Sequence, residues 1–144
     1  MITTTTTPAA PGTAPAPTVP HECLVAARAA DAKSGTDPVV LAVGEQLAVT
    51  DAFVITSASN PRHVRTLAEE VERAVKAESG RSPARVEGLD DARWVLLDYG
   101  DFVVHVFLDE VRRFYDLEGL WGDAEQWAWD EMASELTPTG APTG

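Results

Sequence analysis

The chain has 144 residues, 44% of them apolar, and its formal net charge is −12. This length favours a single domain, and the lone cysteine, Cys23, excludes an internal disulfide and favours a reducing compartment. No apolar run approaches the ~20 residues that a membrane helix needs, and the N-terminus lacks the pattern of a secretory signal, so the sequence predicts a cytoplasmic protein with no membrane segment.

Both ends of the chain are poor in bulky apolar residues. Residues 1–18 are mostly Thr, Ala and Pro, and residues 137–144 repeat that composition. Such segments cannot bury enough apolar surface to offset the entropy of ordering the backbone, so we predict that both are disordered. Residues 19–122 are then the folded domain, and residues 123–144 form an acidic extension with a helix at 123–136 and a disordered end.

Between these ends, hydrophobic periodicity predicts an alternation of helices and strands. The best-defined helix begins after Asn60, a good N-cap, with Pro61 at its first position, and it ends at Gly80. The order indicates an α/β or α+β fold, with one mixed β-sheet flanked by helices. The predicted elements are a helix at 21–33, strands at 38–43 and 53–57, a helix at 61–79, a strand at 84–87, a hairpin at 94–108 and a helix at 109–119.

The hairpin run, WVLLDYGDFVVHVFL, contains two apolar halves that flank an Asp-Tyr-Gly-Asp tetrad. A loop formed by Tyr99 and Gly100 would use the glycine for a positive φ. Counting outward from that loop gives the pairs on one face: Asp98 with Asp101, Leu96 with Val103, and Trp94 with His105. The opposite face is purely apolar and is predicted to be core. The first face keeps two opposed carboxylates beside an aromatic residue, an unfavourable pairing that indicates a surface for a basic partner.

Three separated motifs resemble the ribosomal silencing factor (Iojap-like) family: this hairpin run, FYDLEGLW at 114–121, and TDAFVITSASNPRHVRTLAEEV at 50–71. The resemblance covers about residues 19–121. It implies a nucleotidyltransferase-like fold and a homodimer. It also implies a protein without catalysis that binds the large ribosomal subunit at the ribosomal protein L-fourteen, blocks joining of the small subunit and represses translation when nutrients are scarce.

The distribution of charge agrees with a basic protein partner, since residues 86–136 contain 14 Asp and Glu against three Arg and no Lys. Affinity for nucleic acid comes largely from Lys and Arg that release counterions from phosphates, so this half disfavours direct, sequence-specific binding of nucleic acid. A basic protein fits it better, although acidity also serves solubility alone. The residues predicted to bind this partner are Trp94, Leu96, Asp98, Tyr99, Asp101, His105, Tyr115 and Trp121.

The alternative function is that of a divergent nucleotidyltransferase, which would use Asp98 and Asp101 with a divalent metal. Enzymes of the implied fold have a Gly-Ser pair that opens a helix and a carboxylate pair nearby, whereas residues 57–60 here read Ser-Ala-Ser-Asn. No catalytic residue, metal or cofactor is therefore predicted. On the helix that follows, Arg62 and Arg65 form a basic spot that either faces solvent or contacts ribosomal RNA or another subunit.

Overall fold

The protein is described by a computed structural model that covers residues 19–44, 47 and 49–129. The helices are α1 (His21–Ala32), α2 (Pro61–Ser79), α3 (Asp109–Tyr115) and α4 (Leu117–Leu120). The strands are β1 (Thr36–Ala42), β2 (Ala52–Ala58), β3 (Arg85–Glu87), β4 (Trp94–Asp98), β5 (Phe102–Leu108) and β6 (Glu125–Trp127).

The six strands form one mixed sheet in the order β3-β4-β5-β2-β1-β6. Neighbouring strands are antiparallel except β2 and β5, which are parallel. A parallel pair needs a long crossover, which α2, β3 and β4 supply. Helices α1 and α2 pack against each other and against one face of the sheet, while α3 contacts β5 and β2. The predicted mixed sheet flanked by helices is confirmed, and no described helix is long and apolar enough to cross a membrane.

Helix α2 has both of its predicted ends. The side-chain oxygen of Asn60 accepts the N–H of His63 at 2.8 Å, which satisfies a donor that has no partner inside the helix. Gly80, with a φ of 75°, ends the helix by donating its N–H to the Lys76 carbonyl. The apolar stripe that α2 buries in the core consists of Val64, Leu67, Ala68, Val71 and Val75.

The hairpin forms, but its turn lies one residue later than predicted. Gly100 (φ 93°) and Asp101 make the two-residue loop, and the N–H of Tyr99 donates to the Phe102 carbonyl at 3.0 Å. Only the first loop residue has a positive φ, as in a type II′ turn, whereas the prediction placed glycine at the second position of the loop. An oxygen of Asp98 also accepts the Gly100 N–H at 2.9 Å, which holds the chain in this turn.

This shift changes the strand partners but keeps the two faces. The observed pairs on the predicted binding face are Asp98 with Val103, Leu96 with His105, and Trp94 with Phe107. Each residue of β5 has moved by two positions relative to β4, and side chains alternate with a period of two, so every strand residue stays on its predicted face. The predicted pairing of Asp98 with Asp101 is wrong, because Asp101 belongs to the loop.

The chain after β5 departs from the predicted helices. The helix predicted at 109–119 is interrupted at Asp116, whose φ of 48° ends α3 and whose carboxylate accepts the N–H of Gly119 as α4 begins. The helix predicted at 123–136 is wrong at its start, because Glu125–Trp127 pairs with β1 as an antiparallel strand. The backbone of Glu125–Trp127 finds hydrogen-bond partners along the edge of β1. This contact joins distant parts of the chain, so a local sequence pattern does not show it. The predicted disordered ends lie outside the described residues.

Candidate functional site

The sheet face opposite α1 and α2 carries a connected set of rings, which we call the aromatic face. The Trp94 ring lies 4.8 Å from Phe107 and 4.9 Å from Tyr115, measured between centroids. Phe53 meets His105 edge-on at 4.7 Å and Trp121 at 5.7 Å. Strand alternation places the members from β2, β4 and β5 on one side, and the segment after β5 adds the others. The aromatic face comprises Phe53, Trp94, His105, Phe107, Tyr115 and Trp121.

His105 lies at the buried centre of the aromatic face, with 5% of its surface exposed. Its Nδ1 accepts the indole N–H of Trp94 at 3.0 Å. Burial lowers the pKa of His105 to about 4, so the ring is neutral at physiological pH. Neighbouring rings cover His105 in the single chain, so its predicted place in the binding patch stays a prediction that the structure does not test.

The low pKa of His105 makes stability depend on pH. In the unfolded chain the imidazole has its ordinary pKa of 6.5, so as pH falls below that value the unfolded state takes up a proton before the folded state does. We expect the free energy of unfolding to fall by up to about 1.4 kcal/mol per pH unit between pH 6.5 and 4. Urea unfolding across this window checks it, with His105→Asn as the non-titrating control. Parallel pH profiles for the two proteins would contradict it.

The two predicted carboxylates are held by different arginines. Asp101 accepts from Arg81 at 2.8 Å, and the same guanidinium donates to the Tyr99 carbonyl at 2.8 Å. Asp98 accepts from Arg85 on the neighbouring strand at 3.3 Å. The alternative function would use these two carboxylates as a metal-binding pair, but each is engaged in its own local ion pair. Within the described ranges, no group of three or more His, Cys, Asp or Glu residues is arranged to hold a metal ion.

Tyr99 is buried on the core side of the hairpin. Its ring is only 5% exposed and stacks on Phe102 at 4.5 Å with the planes 9° apart. Burial raises the pKa of its hydroxyl to about 12. The prediction placed Tyr99 in the loop, and the displaced turn moves it into the hairpin on the core side. Its predicted role as a partner-binding residue stays a prediction, for a side chain that has little exposed surface in the single chain.

Trp94 and Tyr115, two members of the aromatic face, line a groove of about 550 Å³ beside α3, whereas Trp121 borders a separate pocket. Trp94 and Leu96 are half-buried, whereas Tyr115 is 51% and Phe114 is 79% exposed. Phe114 was not among the predicted binding residues, although its motif, FYDLEGLW, contains two of them. The groove is lined by Gly88, Asp91, Arg93, Trp94, Glu110, Val111, Phe114 and Tyr115.

Sequence patterns gave no indication of the role of Arg112, which is 8% exposed at the carboxyl end of β2 and β5. Its Nη1 donates to the Thr36 carbonyl at 2.8 Å and to the Ser57 hydroxyl at 3.1 Å, and its Nη2 donates to the Asp37 carbonyl at 2.9 Å. Nε and Nη2 also bond the two carboxylate oxygens of Glu118 at 3.2 and 2.7 Å. All five N–H donors of the guanidinium thus have partners, which ties α3 and α4 to the sheet.

The two arginines of the basic spot at the start of α2, Arg62 and Arg65, have different surroundings. Arg65 donates to the carbonyls of Leu89 and Asp90 at 3.0 and 2.7 Å, so it holds the loop before β4. Arg62 is exposed. Contact with ribosomal RNA or another subunit stays a prediction for Arg62, while the Arg65 guanidinium already has partners in its own chain.

Comparison with known proteins places the chain in a family. The family described as "Ribosomal silencing factor during starvation" matches residues 16–143, and the chain belongs to it. The ribosomal silencing factor RsfS of Bacillus subtilis is 41% identical over 100 residues, which is 69% of this chain and 84% of that protein. The mouse protein named mitochondrial assembly of ribosomal large subunit protein 1 is 33% identical over 91 residues, or 63% of this chain and 40% of that one.

The fold agrees with this assignment. A crystal structure of a Chromobacterium violaceum protein superposes with a TM-score of 0.67 at 31% identity, covering 71% of this chain and 84% of that one. The mixed sheet and its helices are therefore shared with a solved structure of similar sequence. The sequence-based recognition of the ribosomal silencing factor family is confirmed.

Proposed function

We propose that this protein binds the large ribosomal subunit through the ribosomal protein L-fourteen, blocks joining of the small subunit and so represses translation when nutrients are limited. The observation that carries the proposal is the family match over residues 16–143, which includes the whole described fold. It acts as a binding protein without catalysis, metal or cofactor, and its place of action is the cytoplasm. The nucleotidyltransferase-like description of its fold stays a prediction.

The structure supports a particular surface for this contact. Trp94, Phe114 and Tyr115 line one groove, and aromatic side chains commonly supply most of the binding energy at protein interfaces. The three rings contact one another in sequence, Trp94 on Tyr115 and Tyr115 on Phe114, and contiguous exposed apolar patches mark interaction sites. Asp91 and Glu110 at the rim, against Arg93, give the groove an acidic balance that suits a basic ribosomal protein. Trp94 is the proposed anchor of the interface.

Self-association is the second element of the proposal. Leu120 is 71% exposed, lies on the short helix α4 and does not line the groove. Burying such a side chain against a second copy would remove apolar surface from water at about 25 cal/mol per Å². We therefore propose a homodimer, which sedimentation equilibrium would establish or contradict.

Sedimentation with isolated subunits tests the main proposal. The full chain is mixed with purified large or small subunits and run through a sucrose gradient. We expect it in the large-subunit fractions alone, and we expect saturating protein to reduce the joining of the two subunits measured by light scattering. Protein that stays at the top of the gradient, or that travels only with the small subunit, would contradict the proposal.

The ends of the chain should be dispensable for this binding. Residues 1–18 and 137–144 contain almost no bulky apolar or charged side chains that could anchor an interface. We expect a chain without both segments to unfold at the same urea concentration as the full chain and to bind the large subunit within about twofold of its affinity. A large loss of affinity with unchanged stability would show that one end is a functional arm.

A further inference from the structure

The histidine at the centre of the aromatic face has a position that apolar packing alone does not explain. His105 sits between Phe53 and Phe107, and its Nε2 is buried with no hydrogen-bond partner in the described part of the chain. A buried polar atom without a partner destabilises the folded state. An apolar side chain of similar size would avoid that cost. What histidine provides here, and leucine cannot, is the acceptor for the Trp94 indole.

The geometry of the strand pair places this acceptor next to the indole of Trp94. Leu96 is the direct partner of His105 across the hairpin, and Trp94 lies diagonally, two residues earlier on β4. The 3.0 Å bond from Nε1 of Trp94 to Nδ1 of His105 turns the polar edge of the indole toward the sheet. The rest of the indole is left against Tyr115, at the wall of the groove. Because Nδ1 accepts, the ring proton is on Nε2.

We propose that His105 is a positioning residue for partner binding, which fixes the Trp94 indole in the orientation that the groove presents. This rests on the proposed function, in which Trp94 contacts the ribosomal partner. A side chain already held in its bound orientation loses less rotamer entropy on association. Removing the acceptor should therefore weaken binding about three- to tenfold, which is the range expected for ordering one side chain.

The first test examines the hydrogen bond in the unmodified protein. In uniformly ¹⁵N-labelled full-length chain, we expect a scalar coupling between Nε1 of Trp94 and Nδ1 of His105, because an N–H···N bond transmits one. Trp94→Phe assigns the indole signal among the four tryptophans. Absence of the coupling at neutral pH, in a spectrum that resolves both nitrogens, would overturn the proposal.

The second test compares two variants of the acceptor. His105→Asn keeps an acceptor on the same branch of the side chain, and His105→Leu removes it. We expect the leucine variant to shift the Trp94 indole signal, to speed its hydrogen exchange and to lose three- to tenfold in affinity for the large subunit. The asparagine variant should keep most of the affinity, the slow indole exchange and the indole signal position of the unmodified protein. Val106→Ala, which removes buried apolar atoms from the opposite face, should lower stability but leave the Trp94 signal and the affinity unchanged.

The outcomes separate this proposal from the proposed function. If His105→Leu shifts the indole signal but binds normally while Trp94→Ala does not bind, the surface is right and positioning by His105 is wrong. If neither change affects binding by the folded protein, the partner surface lies elsewhere. Both the proposed surface at Trp94 and the positioning role of His105 are then wrong. If His105→Leu does not fold, the coupling in the unmodified protein and the affinity of His105→Asn decide. An asparagine variant that binds as weakly as Trp94→Ala would overturn the proposal.

Discussion

Trp94→Ala is expected to weaken binding to the large subunit by about 30-fold or more, the loss typical when an interface anchor worth ~2 kcal/mol is truncated. The indole forms one wall of the groove and contacts Tyr115, so its removal takes away both an anchor and the support of a neighbouring anchor. Affinity is measured by titration of labelled protein with purified large subunits, at a temperature where circular dichroism shows each variant to be folded.

Val104→Thr is the matched control for this change. Val104 is fully buried on the face that packs against the helices, so a hydroxyl there should cost about 1–3 kcal/mol of stability and leave the affinity of the folded protein unchanged. If Trp94→Ala unfolds the chain while Val104→Thr is harmless, the core and binding faces are assigned the wrong way round. Normal binding by folded Trp94→Ala would show that Trp94 is not the anchor, with the segment Phe114 to Trp121 as the next one to test.

Arg112→Met is expected to lower the free energy of unfolding by about 3 kcal/mol or more, as is typical when one partner of a buried ion pair is removed. Methionine matches the length of the aliphatic stem but leaves the Asp37 carbonyl and the Glu118 carboxylate without the guanidinium donor. The Thr36 carbonyl loses one of its two donors and keeps the Thr56 hydroxyl. Lysine should restore little, since a single ammonium has three donors and cannot reproduce the planar fork. Urea denaturation followed by circular dichroism measures the change.

Arg113→Met is the control for Arg112→Met, because the neighbouring side chain is exposed on the same helix. We expect that variant to differ from the unmodified protein by no more than about 0.5 kcal/mol, the usual range for surface substitutions. Equal stability of the two methionine variants would show that the network around Arg112 contributes nothing to the fold. If only Arg112→Met lowers stability, we also expect that variant to have a disturbed groove, because α3 carries both Phe114 and Tyr115.

The faces of the hairpin could be predicted from the sequence, whereas its turn could not. Alternation with a period of two assigns Trp94, Leu96 and His105 to one side whatever the exact position of the loop. Glycine can occupy either position of a two-residue loop, so the sequence alone left the turn ambiguous by one residue. That single step moved Tyr99 into the core and took Asp101 out of the strand. A charge reversal at Asp101 would therefore test its contact with Arg81 more than any contact with a partner.

The contacts missed by the sequence reasoning join residues that are far apart along the chain. Arg112 reaches carbonyls 75 and 76 positions earlier, and a local pattern gives no sign of such a partner. Its surroundings in sequence, two adjacent arginines in a short amphipathic helix, look like a solvated face. The strand at Glu125–Trp127 was missed for the same reason, because its pairing partner is β1. Helix α2, by contrast, was predicted correctly at both ends, since its cap residues are local to it.

The two sheet edges bear on how copies of this protein can meet. In the part of the chain that the structure describes, the outermost strands, β3 and β6, have three residues each, and both carry charged side chains. Strands so short and charged offer few free backbone groups to a second sheet, and they discourage the edge-to-edge joining that leads to fibres. A dimer built by continuing the sheet from one copy into the next is therefore disfavoured. Two copies that associate would meet through side chains on their faces and short helices, which leaves assembly sensitive to single substitutions at positions such as Leu120.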